Sequence, residues 1–456
     1  MNRKKIVSLV LCAVLALGVL AGSASASDAA TQAVLDRAGA AYDADTVVCT
    51  IDGEPVTWPL YFYLLSEELR TVTYYTGALP TDYNEMITED MTTAEYIAEM
   101  ALYKAKYYTS AHTRAVEAGV ALDEAGLAAL EDDWAQMEER YGGPEEFQKL
   151  LDEAHLTKPV FLYLIQCSQE LEALMGSAYG TQGEKLSPKD VLDWAEDGGY
   201  IRVKHILYFF YDDAGQPLDD AGKEAQRLRA EASLAELKAL LGDNEALEAR
   251  FDEIMNQDSG DVGGLSQFPQ GYTFTSGTMY PEFEEAAFDM EEFALSELVE
   301  SQSGYHIILR LPLDTEGMTM DQDANTGAHL TLRQSAANDL FSLDLADWIQ
   351  NAQVEWTPGF EKLDLGALFD ATDLPVPTET PAPTAAPTAE PTASPAEAPA
   401  DEPAPAEKEA DAQQAAEKRL DLLYVGLSAV LIAFTVLMVL PEKPAKKKDA
   451  PKENND

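Results

Sequence analysis

The sequence predicts an α+β chain. A helical lobe is interrupted by a small inserted α/β domain, an antiparallel sheet flanked by helices. A disordered linker and one transmembrane helix follow. Three observations predict this. Helical periodicity runs through residues 92–178, a strand–helices–strand texture fills 201–312, and past residue 370 a proline-rich stretch leads to an apolar run. The 456 residues suffice for two or three domains, and a hydrophobic fraction of 46% suffices for their cores. The net charge of −50 repels phosphate backbones and excludes a nucleic-acid partner.

In chain order, residues 1–26 read as a secretory signal peptide. Arg3, Lys4 and Lys5 precede an apolar Ile6–Ala21 segment, and Ala24-Ser25-Ala26 supplies the small cleavage residues. Residues 27–200 form the helical lobe. It opens with strands at 47–51 and 55–57 about an Asp52-Gly53 turn. Tyr61, Leu64, Leu65 and Leu69 then share a helical face. Helices follow at 92–119, 122–141, 144–154 and 158–178, and a short one starts after Ser187-Pro188.

Residues 201–312 change period. A strand at 202–208 precedes helices at 219–241 and 244–256. A Gly263-Gly264 turn, a helix near 281–290 and a strand at 304–310 close the unit. Residues 313–370 carry a helix at 330–350 that returns to the lobe, and Val354–Trp356 would add a strand there.

Residues 371–421 are linker and stalk, with ten prolines between Pro375 and Pro405. Such a composition prefers polyproline II and spans up to about 100 Å. Leu422–Leu440 has 19 residues without a charge, about 28 Å as a helix. Lys443, Lys446, Lys447 and Lys448 then mark residues 441–456 as a cytoplasmic tail, with the body outside the cell.

The chain has three cysteines and no Cys-x-x-Cys pair, which excludes a disulfide scaffold. Cys49 and Cys167 stand open between a disulfide and two buried thiols. The five histidines form no His-Glu-x-x-His motif, and no P-loop is present.

Chemistry concentrates in one ordered set. It runs through Val203-Lys204-His205-Ile206-Leu207, Phe251-Asp-Glu-Ile254, Asp258-Ser259 and Gly263-Gly264-Leu265-Ser-Gln-Phe268. It continues through Met279-Tyr-Pro-Glu-Phe283 to Phe288 and Ser301-Gln-Ser303-Gly304-Tyr305-His306-Ile307-Ile308. The set resembles parvulin-type (PpiC-type) peptidyl-prolyl cis-trans isomerases. The flanking helices resemble the chaperone lobe of SurA/PrsA-type extracytoplasmic foldases.

The resemblance implies an enzyme that accelerates rotation about X-Pro bonds in unfolded or partly folded secreted proteins. No cofactor or metal is implied. Leu265, Phe268, Met279 and Phe283 would line a slot for the proline ring. His205 and His306 would face each other beneath it, and Asp258 would lie near the substrate carbonyl. Ser301 and Ser303 would tie the histidines into a hydrogen-bond network. In the long segment between Phe268 and Met279, Tyr272 and Phe274 would cover or reshape the slot. The alternative is a non-catalytic holdase or peptide-binding scaffold on the same fold.

Overall fold

The computed structural model describes residues 26–212, 215–323 and 326–370. The stretches expected to be signal peptide (apart from its last residue), linker, transmembrane helix and basic tail lie outside the described residues. Among the described residues no helix is long and apolar enough to cross a membrane. The chain divides into two compact units. Of the described residues, the first holds 26–109, 124–165 and 353–370, and the second holds 110–123 and those between 166 and 352.

The first unit begins with helix α1 (Ala26–Gly39) and strands β1 (Val47–Ile51) and β2 (Glu54–Thr57). Asp52 and Gly53 both take positive φ, 52° and 88°, the geometry that a tight antiparallel hairpin needs. Helix α2 (Trp58–Thr76) carries Pro59 in its first turn, where a missing N–H costs nothing, and ends at Gly77 with φ 79°. Helix α3 (Thr93–Ala118) spans the division between the units. The buried Glu68 carboxylate of α2 is paired with Lys104 of α3.

Helices α4 (Glu124–Arg140), α5 (Pro144–Glu153) and α6 (Lys158–Ala178) follow. Trp134, Phe147 and Phe161 pack ring to ring at 4.9–6.1 Å between them. The buried Cys49 thiol in β1 is pushed up to about 11 by burial. Cys49 and Cys167 are both buried and not joined in a disulfide, which answers the open question in favour of two thiols.

In the second unit, helix α7 (Pro188–Gly198) starts on a Ser187/Asp190 capping box. Strand β3 (Ile201–Phe209) follows, then helices α8 (Asp220–Lys238), α9 (Asn244–Asp258) and α10 (Val262–Gln267). Next come β4 (Tyr272–Phe274), α11 (Pro281–Phe288), β5 (Val299–Glu300), β6 (Gly304–Leu311), β7 (Met318–Gln322) and β8 (His329–Thr331). The strands form one sheet in the order β5-β6-β3-β4-β7-β8.

The sheet is mixed rather than wholly antiparallel, because β4 meets β7 in parallel through Thr273 and Thr319. Strands β4, β5, β7 and β8 have two to five residues each, too short for a period-2 pattern to stand out of the sequence. The β3–β6 ladder runs from Arg202↔Leu311 to Phe209↔Gly304 and is the spine of the unit. Alternation sends Ile206, Tyr208, Ile307 and Leu309 to one face, under α8 and α9. It sends Ile201, Val203 and Ile308 to the other, with Phe274 and Phe283.

Helix α12 (Leu332–Asn351) starts on a Thr331/Gln334 capping box. Its Leu332 and Ala336 share a core with Val191, Ala195 and Tyr200 inside this second unit. Strand β9 (Val354–Trp356) pairs antiparallel with β1 in the first unit, and helix α13 (Leu365–Leu368) closes the described chain.

Candidate active site: two histidines on adjacent strands

His205 stands opposite Ile308 in the β3–β6 ladder, and His306 stands opposite Leu207. The two imidazoles are therefore diagonal neighbours on one face of the sheet, a spacing that long side chains can close. They stack at 5.3 Å between centroids and 21° between planes, with Nδ1 to Nδ1 at 3.1 Å. Each remaining ring nitrogen also has a partner. His205 Nε2 lies 2.9 Å from Asp261 Oδ2, and His306 Nε2 lies 2.8 Å from Ser301 Oγ. Ser303 N–H donates to Ser301 Oγ at 3.1 Å. All four imidazole nitrogens are thus occupied within the protein.

Phe283, from α11, sets its ring edge-on to both imidazoles at 5.3 Å. It is 3% exposed and forms a dry wall. Met279 packs half-buried on the same cluster. The loop that carries Met279 is held by Glu284, whose carboxylate accepts backbone N–H bonds from Gly277, Thr278 and Met279 at 2.7–2.9 Å. The apolar residues are fixed in place before any peptide arrives.

Burial drives the His306 imidazole down to about 3, with the neighbouring His205 as a second cause, so it is uncharged at neutral pH. Asp261 behaves oppositely. Burial pushes its carboxyl up. Hydrogen bonds from His205, Tyr272 and Gly264 outweigh that and hold it at about 2. The Tyr272 hydroxyl donates to Asp261 Oδ2 at 2.5 Å. It is pushed far above its ordinary value by burial and by that carboxylate.

The structure brings together His205, His306, Ser301, Met279 and Phe283, as the sequence predicts. Ser303 joins through its backbone, while its hydroxyl turns to Tyr280 Oη at 3.2 Å. Phe268 is buried but meets the network only through Tyr272, at 5.0 Å between rings.

Two expectations need correction. Asp258 is not brought to the imidazoles. It pairs with Arg229 at 2.8 Å and lies near Tyr208, a residue of the sheet's opposite face. Leu265 packs on the opposite-face cluster with Ile206 and Phe251, not with Met279 and Phe283. The carboxylate that reaches the histidines is Asp261, which sequence reasoning missed. Its one local signal is its place as N-cap before Val262-Gly263-Gly264. Of the two residues expected to reshape the slot, Tyr272 does meet the network. Phe274 is 1% exposed and is plain core.

The strands that carry the two histidines lie in a stretch that is similar to known proteins. The family described as a Rotamase, PPIC-type PPIase domain, matches residues 205–311. The foldase protein PrsA of Staphylococcus aureus strain Newman is 24% identical over 180 residues, covering 39% of this chain and 50% of that protein. The chain spans about half the length of the curated relatives it matches. Among solved structures, PrsA of Bacillus anthracis shares 19% identity, covering 55% of this chain and 94% of that one at a TM-score of 0.21. A SurA-like chaperone structure from Campylobacter jejuni shares 17%, covering 68% and 100% at 0.19. Residues 205–311 thus match the PPIC-type PPIase domain family, which is of the parvulin type, in a chain similar to PrsA over 180 residues.

Proposed function

We propose that the chain is an extracytoplasmic peptidyl-prolyl cis-trans isomerase and foldase. It is anchored by a single C-terminal span, with its body outside the cell and its basic tail in the cytoplasm. Its partners are unfolded or partly folded secreted proteins that contain X-Pro bonds. Anchoring and topology rest on the sequence pattern alone: the signal segment, the uncharged 19-residue run and the lysines after it. The isomerase reading rests on the family match together with the closed histidine pair beneath Phe283.

The chemistry follows from what rotation about a prolyl bond requires. The barrier is about 20 kcal/mol, mostly amide resonance, and no bond is made or broken. At the twisted transition state the carbonyl is less polarised than in the planar amide. A dry floor prefers the twisted form, because the planar amide loses more hydration on entering it. The imidazoles here offer such a floor. Their nitrogens are all occupied internally, so beside the Phe283 ring they offer no free donor or acceptor.

The test is acceleration of cis/trans exchange in an X-Pro peptide by the full chain. His306→Ala and Phe283→Ala are each expected to lower kcat/KM by roughly tenfold or more, the worth of a lost packing surface of ~1.5–3 kcal/mol at the transition state. A parent without turnover, or both variants turning over like the parent, overturns the isomerase reading.

A further inference from the structure

The hydrogen-bond chain through the site has a direction, and Asp261 sets it. Its carboxylate is ionised, so the nitrogen facing it must carry the hydrogen, and His205 donates from Nε2. The 3.1 Å contact between the two Nδ1 atoms needs one donor and one acceptor, and a His205 ring with one hydrogen, committed to Asp261, is the acceptor. The uncharged His306 donates into it from its own Nδ1, which leaves His306 Nε2 as an acceptor. Ser301 Oγ–H fills that acceptor, and Ser301 Oγ in turn accepts the Ser303 N–H. Every donor from Ser303 to Asp261 points the same way.

The carboxylate itself is pinned. Oδ2 also accepts the Tyr272 hydroxyl, and Oδ1 accepts the Gly264 N–H at 3.1 Å. Tyr272 reaches it from β4, and Gly264 from the first turn of α10. Glycine at 264 leaves room for this pin, since a Cβ there would lie 1.5 Å from Tyr272 Oη and 2.2 Å from Asp261 Oδ2 and would displace both. The pin and the space for it belong to the same short segment.

We infer that Asp261, clamped by Tyr272 and Gly264, is the positioning residue that fixes the tautomers of His205 and His306 and so keeps both imidazoles closed toward the substrate. This deepens the isomerase reading and rests on it for its catalytic consequence. Asp261 acts through His205, and Tyr272 acts through Asp261. Asp258, held by Arg229, has no part in this chain.

The geometry makes one substitution sharply informative. Asp261→Asn keeps the shape but has a single acceptor where two are needed. If the amide oxygen stays toward Gly264, the NH2 faces His205 Nε2 and the Tyr272 hydroxyl. His205 must then shift its hydrogen to Nδ1, and the whole chain reverses through His306 to Ser301. If the oxygen faces His205, the Gly264 N–H loses its acceptor. Tyr272→Phe keeps the direction and removes only one clamp.

Imidazole nitrogen NMR on the full chain with labelled histidine reads the tautomers without needing turnover. With five histidines, single His→Gln variants assign the signals. The parent is expected to show His205 protonated at Nε2 and His306 at Nδ1. Asp261→Asn is expected to move both toward the opposite nitrogens and lower kcat/KM at least about tenfold, the worth of one charge-assisted hydrogen bond. Tyr272→Phe is expected to keep the parent tautomers and lose less activity. Asp261→Asn tautomers identical to the parent's overturn the inference, as does a larger loss in Asp258→Asn than in Asp261→Asn. A parent that shows these tautomers but no turnover overturns the isomerase reading and leaves the tautomer assignment standing.

Discussion

Acidification should weaken the second unit through His306. The ring is 3% exposed, and its folded-state value is driven from 6.5 to about 3, chiefly by burial. Above pH 6.5 neither the folded nor the unfolded chain binds a proton there, so the site's full stability is present. Between 6.5 and about 3 only the unfolded chain takes up the proton, so stability falls as pH falls. Each pH unit in that window costs about 1.4 kcal/mol. At pH 4.5, two units below the upper edge, the loss from His306 approaches about 2–3 kcal/mol.

The titratable groups that face the ring are His205 from β3 and Asp261 from the N-cap of α10, which Tyr272 of β4 clamps. Phe283 of α11 and Ser301 do not titrate. Asp261 stays ionised throughout the range, since its own window lies between 3.8 and about 2. The assay is urea unfolding of the full chain at pH 7 and 4.5, for the parent and for His306→Gln. Subtracting the variant removes His155, whose value burial also depresses in the first unit. The parent is expected to lose about 2–3 kcal/mol more than the variant on acidification. An equal loss in both would refute the reasoning that a buried, uncharged His306 underlies the site.

Two further outcomes follow from contacts already described. Gly264→Ala should displace Tyr272 and Asp261 together, because a Cβ would sit 1.5 Å from the one and 2.2 Å from the other. Isomerase activity should fall by roughly tenfold with far-UV circular dichroism unchanged, and retained activity would show that the clamp is dispensable. Lys104→Ala should strand the Glu68 carboxylate, whose side chain is 1% exposed, at a cost of about 3–5 kcal/mol read from the urea midpoint. Adding Glu68→Gln should restore part of that loss, and a midpoint unmoved by Lys104→Ala would show that the pair carries no stability.

The interplay of local and distant constraints explains which site residues were legible. His205 and His306 stand in long, strongly apolar strands, so their shared face follows from parity and one antiparallel register. Phe283 and Met279 flank a Pro281 helix start, again a local signal. Asp258 and Asp261 are three residues apart, and nothing in that stretch says which carboxylate turns to the sheet. The answer depends on α9 running to Asp258, where Arg229 of α8 waits, and on Asp261 capping α10.

By itself the sequence determined the alternation between helical and strand periods, the helix starts at Pro144 and Pro188, the Asp52-Gly53 hairpin and the two histidine strands. Each is decided within a few residues, by backbone freedom or by the repeat of apolar side chains. Only the tertiary structure decided that Asp261 completes the histidine chain, that Tyr272 clamps it and that Leu265 belongs to the other face. It alone also paired β4 in parallel with β7. These outcomes depend on three-residue strands and single caps whose partners lie 11 to 56 residues away, so distance in the fold, not pattern in the chain, selects them.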